Sequence, residues 1–354
     1  MISVPYNNKK NYTSEIIELT KGHMISEEFE ILNYIKLGVS GLVYKGKIKK
    51  SKTEKFSALK FLIPKNNMDQ NEAQHLKEVY KEIILHYKLK HKNIPQVCGC
   101  YTINGGICLS MEFCNYGDLN NFKKNILKKP CLSETIICFI SSQILDAIFY
   151  LHKNKIIHFD IKPQNILVND YLNFFLTDFS VSLSYKSFDE YIYLNTVGTS
   201  YYICPESLKK ERIKVEDASK IDIYSFGVLL YVLAFGYYPY DLRKVNDQDY
   251  SQMAKNIQEN DLQFPNSNNH SKMFVNFISK CLEKDINKRY NIYDALRDPW
   301  VKANKYILDE KEKLGNASKF LINMVTNSIN EFNKCTKLSN KKDLIIIIFF
   351  ICYK

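Results

Sequence analysis

Apolar positions along the chain follow two rhythms. Over residues 29–61 they fall in short β-favouring runs broken by Gly and Lys, with Ile31, Val43, Tyr44, Phe56, Ala58 and Phe61 among them. Residues 72–90 change to a helical period, with Leu76, Val79, Ile83, Ile84 and Tyr87 on one face. Two further strands are predicted at 96–102 and 107–113, joined by a turn at Asn104-Gly105-Gly106. After Gly117 the pattern is mainly helical. Ser133 is a good N-cap for a helix whose face carries Ile137, Ile140, Ile144, Ile148 and Leu151. Short strands are expected at 166–168 and 174–177. Residues 221–235 are apolar nearly all round. They are fewer than the ~20 residues a bilayer requires, and Asp222 interrupts them, so the segment reads as a buried core helix. The pattern predicts an α+β chain: a small β-rich lobe with one helix, joined near 112–117 to a larger helical lobe. No internal repeat is visible.

The ends differ from this middle. Residues 1–28 are polar and mixed, an N-terminal extension with a short helix near 14–19. Residues 301–354 form a Lys/Asn-rich extension ending in an apolar run at 344–353. That run is short for a membrane span. It could be a buried strand, a membrane-associating tail or an artefact of the gene model.

Composition changes the picture little. The 354 residues allow one large or two smaller domains, and an apolar share of 45% supports a sizeable core. A net charge of +11 could attract nucleic acid, anionic membrane or acidic substrates. The lysines are spread along the chain, however, and no arginine-rich stripe with interleaved aromatics stands out, so a solvated basic surface and no nucleic-acid partner are expected. Ten cysteines lie without paired spacing; Cys98-Gly99-Cys100 is the closest pair. Reduced thiols in a cytoplasmic setting are expected, with the nucleus left open. The start, Met1-Ile2-Ser3-Val4-Pro5, lacks the apolar run of a secretory signal and the glycine that myristoylation requires.

The chemistry is concentrated mid-chain, in His158-Phe159-Asp160-Ile161-Lys162-Pro163-Gln164-Asn165 and, 13 residues after Asn165, in Asp178-Phe179-Ser180. Two carboxylates, a carboxamide and a lysine at this spacing suit the task of holding a nucleotide's metal ions and steering a hydroxyl toward phosphorus. Upstream, Gly38-Val39-Ser40-Gly41-Leu42-Val43 could bring backbone N–H groups close to phosphate, and Lys60 follows in Phe56-Ser57-Ala58-Leu59-Lys60.

Together these segments, over roughly 29–300, resemble the eukaryotic protein kinase signature set. Lys-Pro-x-Asn after Asp160, and Thr199 in Gly198-Thr199-Ser200-Tyr201-Tyr202-Ile203-Cys204-Pro205-Glu206, are similar to the serine/threonine form. The resemblance implies the two-lobed kinase fold, with lobes at 29–113 and 114–300. It also implies an ATP-dependent transferase that uses Mg2+ and acts on protein substrates. Asp160 and Lys162 would be catalytic. Gly38, Gly41, Val43, Ala58, Lys60, Glu82, Glu112, Cys114 and Leu167 would bind ATP, with Met111 just before the adenine-binding hinge. Asn165 and Asp178 would hold the metal. Glu82, with Glu78 as fallback, would anchor Lys60; Glu206 would pair with Arg289; Asp222 would hydrogen-bond the backbone near Asp160. The five chemical side chains would converge around one magnesium-bound triphosphate.

Three departures stand out. Lys36 replaces the first glycine of the loop, Phe159 replaces the arginine before the catalytic aspartate, and Ser180 replaces a glycine. Phenylalanine has no donor with which to grip a phosphate on the activation loop, so activity independent of loop phosphorylation is expected. A serine after Asp178-Phe179 would narrow backbone freedom at a switch point. These departures keep a second reading open, a pseudokinase that binds ATP and works as a scaffold.

Overall fold

A computed structural model of the chain describes residues 25–38, 41–62, 70–103, 106–187, 191–194, 198–241, 249–265 and 270–303. The expected helix at 14–19, the tip of the glycine loop at Val39-Ser40, and the apolar tail at 344–353 lie outside them. The chain divides into two compact units. One holds the described residues up to Asn115 together with Thr177–Ser182; the other holds Tyr116–Leu176 and the chain from Leu183 onward.

The first unit is a five-stranded antiparallel sheet with one long helix. Its strands are β1 (Phe29–Gly38), β2 (Gly41–Ile48), β3 (Phe56–Leu62), β4 (Val97–Ile103) and β5 (Gly106–Glu112), in the order β1-β2-β3-β5-β4. Helix α1 spans Gln70–Lys88. Strand alternation sorts the side chains of β3. Leu59 and Phe61 join Phe29, Tyr101 and Cys108 in one apolar cluster. Ala58 and Leu62 pack on the other side with Val79, Ile83 and Ile84 of α1. Lys60 has the parity of Ala58 and Leu62, so the two-residue period turns this lysine toward α1.

The second unit is mainly helical. Helix α2 (Glu134–Lys153) buries Ile137, Ile140, Ile144, Ile148 and Leu151, with Ser133 at the N-cap in extended backbone. Downstream lie α3 (Pro205–Leu208), α4 (Val215–Phe235), α5 (Tyr250–Glu259), α6 (Lys272–Cys281), α7 (Ile292–Arg297) and α8 (Pro299–Ala303). α4 contains the apolar run at 221–235. Both α2 and α4 are long and apolar enough to cross a membrane, yet 72% and 78% of their apolar windows lie inside the fold, as core helices require. Gly227 lets α4 approach α6 closely: a Cβ there would lie 2.8 Å from the Cβ of Cys281.

Very short ladders frame the loops between these helices. Strand β6 (Ile156–Ile157) pairs with β9 (Leu183–Ser184), β7 (Ile166–Val168) with β8 (Phe174–Leu176), and β10 (Tyr191–Tyr193) with β11 (Arg212–Lys214). The segment 158–165 is thus held between β6 and β7, and Thr177–Ser182 leaves β8 and returns at β9.

Candidate active site

In the first unit, Lys60 is the centre of a buried charge cluster. Its Nζ forms an ion pair with Glu82 Oε1 and lies 3.9 Å from Asp178 Oδ1. Lys60 and Glu82 are only 8% and 3% exposed. Burial alone would lower the Lys60 pKa, but the Glu82 and Asp178 carboxylates outweigh it and hold the ammonium above the ordinary lysine value. The anchor is therefore Glu82. His86 lies one helical turn beyond it on the same face of α1. The His86 ring packs on Phe179 with centroids 4.9 Å apart, and its Nε2–H donates to the Pro95 carbonyl at 2.9 Å. Burial, foremost, lowers its pKa to about 4, so the imidazole is neutral. Sequence reading passed over His86, although its i+4 spacing from Glu82 was a usable signal.

The other residues expected around a nucleotide in this unit lie along the strands. Gly38 and Gly41 are partners in the β1–β2 register. A Cβ on Gly41 would sit 2.0 Å from the Phe61 carbonyl oxygen, so only glycine fits. Val43 is opposite Lys60, and Ala58 opposite Met111, in the sheet register. Met111 is buried, and its carbonyl accepts from Ser57 Oγ at 2.7 Å. Glu112 donates its amide to Gln96 at 3.0 Å, and Cys114 is buried two residues on.

The second unit holds the other cluster. Asp160 Oδ1 accepts from the Thr199 hydroxyl at 3.0 Å, while Oδ2 accepts from Asn165 Nδ2 at 2.8 Å and pairs with Lys162 Nζ at 2.7 Å. Lys162 also donates to Thr199 Oγ1. Asn165 Nδ2 makes a second bond, to the Asp160 carbonyl, at 2.9 Å. Two acceptors on one side fix the orientation of the amide, with its oxygen on the opposite side. The Thr199 hydroxyl links the aspartate and the lysine, a contact that its residue type alone does not reveal. Leu167 lies half-buried in β7, bridged to Asp118.

The backbone at Asp160 is held from beneath. Asp222, fully buried in α4, accepts from the amides of His158 at 2.9 Å and Phe159 at 2.8 Å, and from His152 Nε2 at 2.8 Å. Phe159 is buried with φ of +67°, and Asp178 has φ of +70°. Side-chain-bearing residues rarely adopt this region, and such outliers cluster at functional sites. Gly198, φ +105°, passes so close that a Cβ would stand 2.7 Å from the Phe159 carbonyl oxygen. Ser180 is absent from the residues with positive φ, so its backbone accepts a side chain without strain in this conformation. Farther out, Glu206 and Arg289 form a buried pair at 2.8 Å.

A protein kinase domain model matches residues 29–301, more than half of the chain. The chain belongs to the protein kinase family. It is 30% identical over 284 residues to a serine/threonine-protein kinase, dst2, of Dictyostelium discoideum, covering 79% of this chain and 23% of that protein. Calcium-dependent protein kinase 5 of Plasmodium falciparum is 27% identical over 348 residues, 97% of this chain and 56% of that one. The yeast MAP kinase kinase MKK1/SSP32 is 28% identical over 295 residues, 79% of this chain and 54% of that one. The kinase chain thus spans about a quarter to just over half the length of these relatives. Its five-stranded sheet and helical unit are the architecture expected of a two-lobed kinase.

Proposed function

We propose that the chain is an active serine/threonine protein kinase that moves the γ-phosphate of ATP to protein hydroxyls. The observation that carries this reading is the intact charge set: Lys60 locked to Glu82 beside Asp178, and Asp160 tied to Lys162, Asn165 and Thr199. Lys60 would neutralise the α- and β-phosphates, with Glu82 fixing its position. Asp160 would orient the acceptor hydroxyl and take its proton as oxygen bonds to the γ-phosphorus and the bond to the β-phosphate oxygen breaks, releasing ADP. Lys162 would stabilise the transferred group. Asn165 and Asp178 offer the hard oxygens that magnesium prefers, and the fixed Asn165 amide fits that task. When bound, Mg2+ would screen the charge of the phosphate oxygens. Gly38, Gly41, Val43, Ala58, Glu112, Cys114 and Leu167 would serve the nucleotide. The kinase domain would cover 29–300, flanked by extensions, in a cytoplasmic protein whose partners are its protein substrates.

The serine/threonine assignment rests on Lys162-Pro163-Gln164-Asn165, on Thr199 and on relatives of that name. Phosphoamino-acid analysis of a general protein acceptor labelled from ATP tests it. Label on serine or threonine is expected; label on tyrosine alone would overturn it. The buried Phe159 favours a second reading, a pseudokinase scaffold. ATP binding without any transfer would decide for that alternative.

A further inference from the structure

We propose that Arg212 is a positioning residue that clamps strand β10, upstream of Gly198, through the rings of Tyr191 and Tyr193, replacing a phosphate contact. The proposal rests on the kinase reading, in which this segment presents the acceptor.

The starting point is a missing cation. The position before Asp160 carries a buried phenylalanine, which cannot grip a phosphate. The described stretches after Ser182, 183–187 and 191–194, are nevertheless tied down. Near its start, Leu183 pairs with Ile157, Tyr185 donates its amide to the Lys155 carbonyl at 3.1 Å, and Lys155 Nζ donates to the Lys186 carbonyl at 2.7 Å. Farther on, β10 pairs with β11, and Leu194 donates its amide to the Glu211 carbonyl at 3.0 Å. Glu211 in turn donates to the backbone of Glu206, whose carboxylate is held by Arg289.

Two three-residue strands are marginal on their own, so side chains must help to hold them. The pleat divides the work. Ile192 and Leu194 point inward and are 3% exposed, while Tyr191 and Tyr193 are 47% and 51% exposed. The exposed Arg212 stands opposite Tyr193 in the register. Its guanidinium carbon lies 4.7 Å from the Tyr191 ring centroid and 5.5 Å from that of Tyr193. One weakly hydrated cation thus faces two rings, a contact that needs neither phosphate nor a partner protein.

Hydrogen exchange and steady-state kinetics on the full chain test this, with wild type, Arg212→Lys and Arg212→Ala in parallel. Arg212 is on the surface, so the variants should keep the melting transition. Two exposed cation–π contacts translate into roughly fivefold or greater acceleration of exchange around Leu194 in Arg212→Ala. The acceptor KM should rise with the ATP KM unchanged, and Arg212→Lys should fall between. Phosphatase-treated wild type should keep its protection. Unchanged exchange in Arg212→Ala, or protection lost on phosphatase treatment alone, would overturn the clamp. Faster exchange in a chain that transfers no phosphate would uphold the clamp and remove the kinase reading.

Discussion

At the residue scale, the site depends on a few positions where chemistry overrides local preference. Phe159 and Asp178 both hold left-handed backbone conformations, which cost on the order of 1–3 kcal/mol each and persist only under external constraint. For Phe159 the constraint is visible: Asp222 holds its amide, and Gly198 crowds its carbonyl. Gly198→Ala would add both a strained φ and a contact at 2.7 Å. We expect phosphotransfer to fall by about tenfold or more, since misplacement at reacting groups is costly. An unchanged initial rate would show that Gly198 does not shape the site. Lys60, Glu82, Asp160, Asn165 and Asp178 could be singled out in the sequence by residue type and order, and the structure brings Lys60 to Glu82 and Asp178, and Asn165 to Asp160. His86 and the Thr199 hydroxyl link were not singled out, because each depends on a partner distant in sequence that only the fold supplies.

At the element scale, legibility followed length. α1 and α2 were long enough for their periodicity to stand out, and the structure places them at Gln70–Lys88 and Glu134–Lys153. β6, β9, β10 and β11 contain two or three residues each, too few to show a period, and they are defined by their partners. The close packing of α4 on α6 gives a direct test of the core. In Gly227→Ala, gain in helix propensity would contribute about 1 kcal/mol, against about 1–3 kcal/mol for overpacking at 2.8 Å from Cys281 and 3.0 Å from Leu282. Overpacking should win, and denaturant titration should show a net loss of up to about 2 kcal/mol. A stabilised variant would mean that α4 and α6 separate freely.

At the scale of the whole molecule, buried groups tie stability to pH. Burial above all holds the His86 pKa at about 4, below the ordinary histidine value of about 6.5. The unfolded chain therefore takes up a proton first, and stability must fall as pH drops through that window. The loss from this group should be about 2 kcal/mol between about pH 7 and pH 5. Denaturation at both pH values, compared with His86→Leu, isolates it; an equal pH dependence in the two proteins would contradict the assignment. Overall charge is a poorer guide to function than these placed groups. The +11 balance is compatible with several partners, whereas the family assignment rests on the match to a protein kinase domain across 29–301.

The central claim is transfer of phosphate by this chain's own side chains. The initial rate of γ-phosphate transfer from ATP to a protein acceptor, measured for wild type and Asp178→Ala purified side by side, tests it most directly. The account predicts steady incorporation by wild type and a loss of at least about a hundredfold in the variant, the scale at which one electrostatic group contributes to a transition state. Equal incorporation by the two proteins would contradict it.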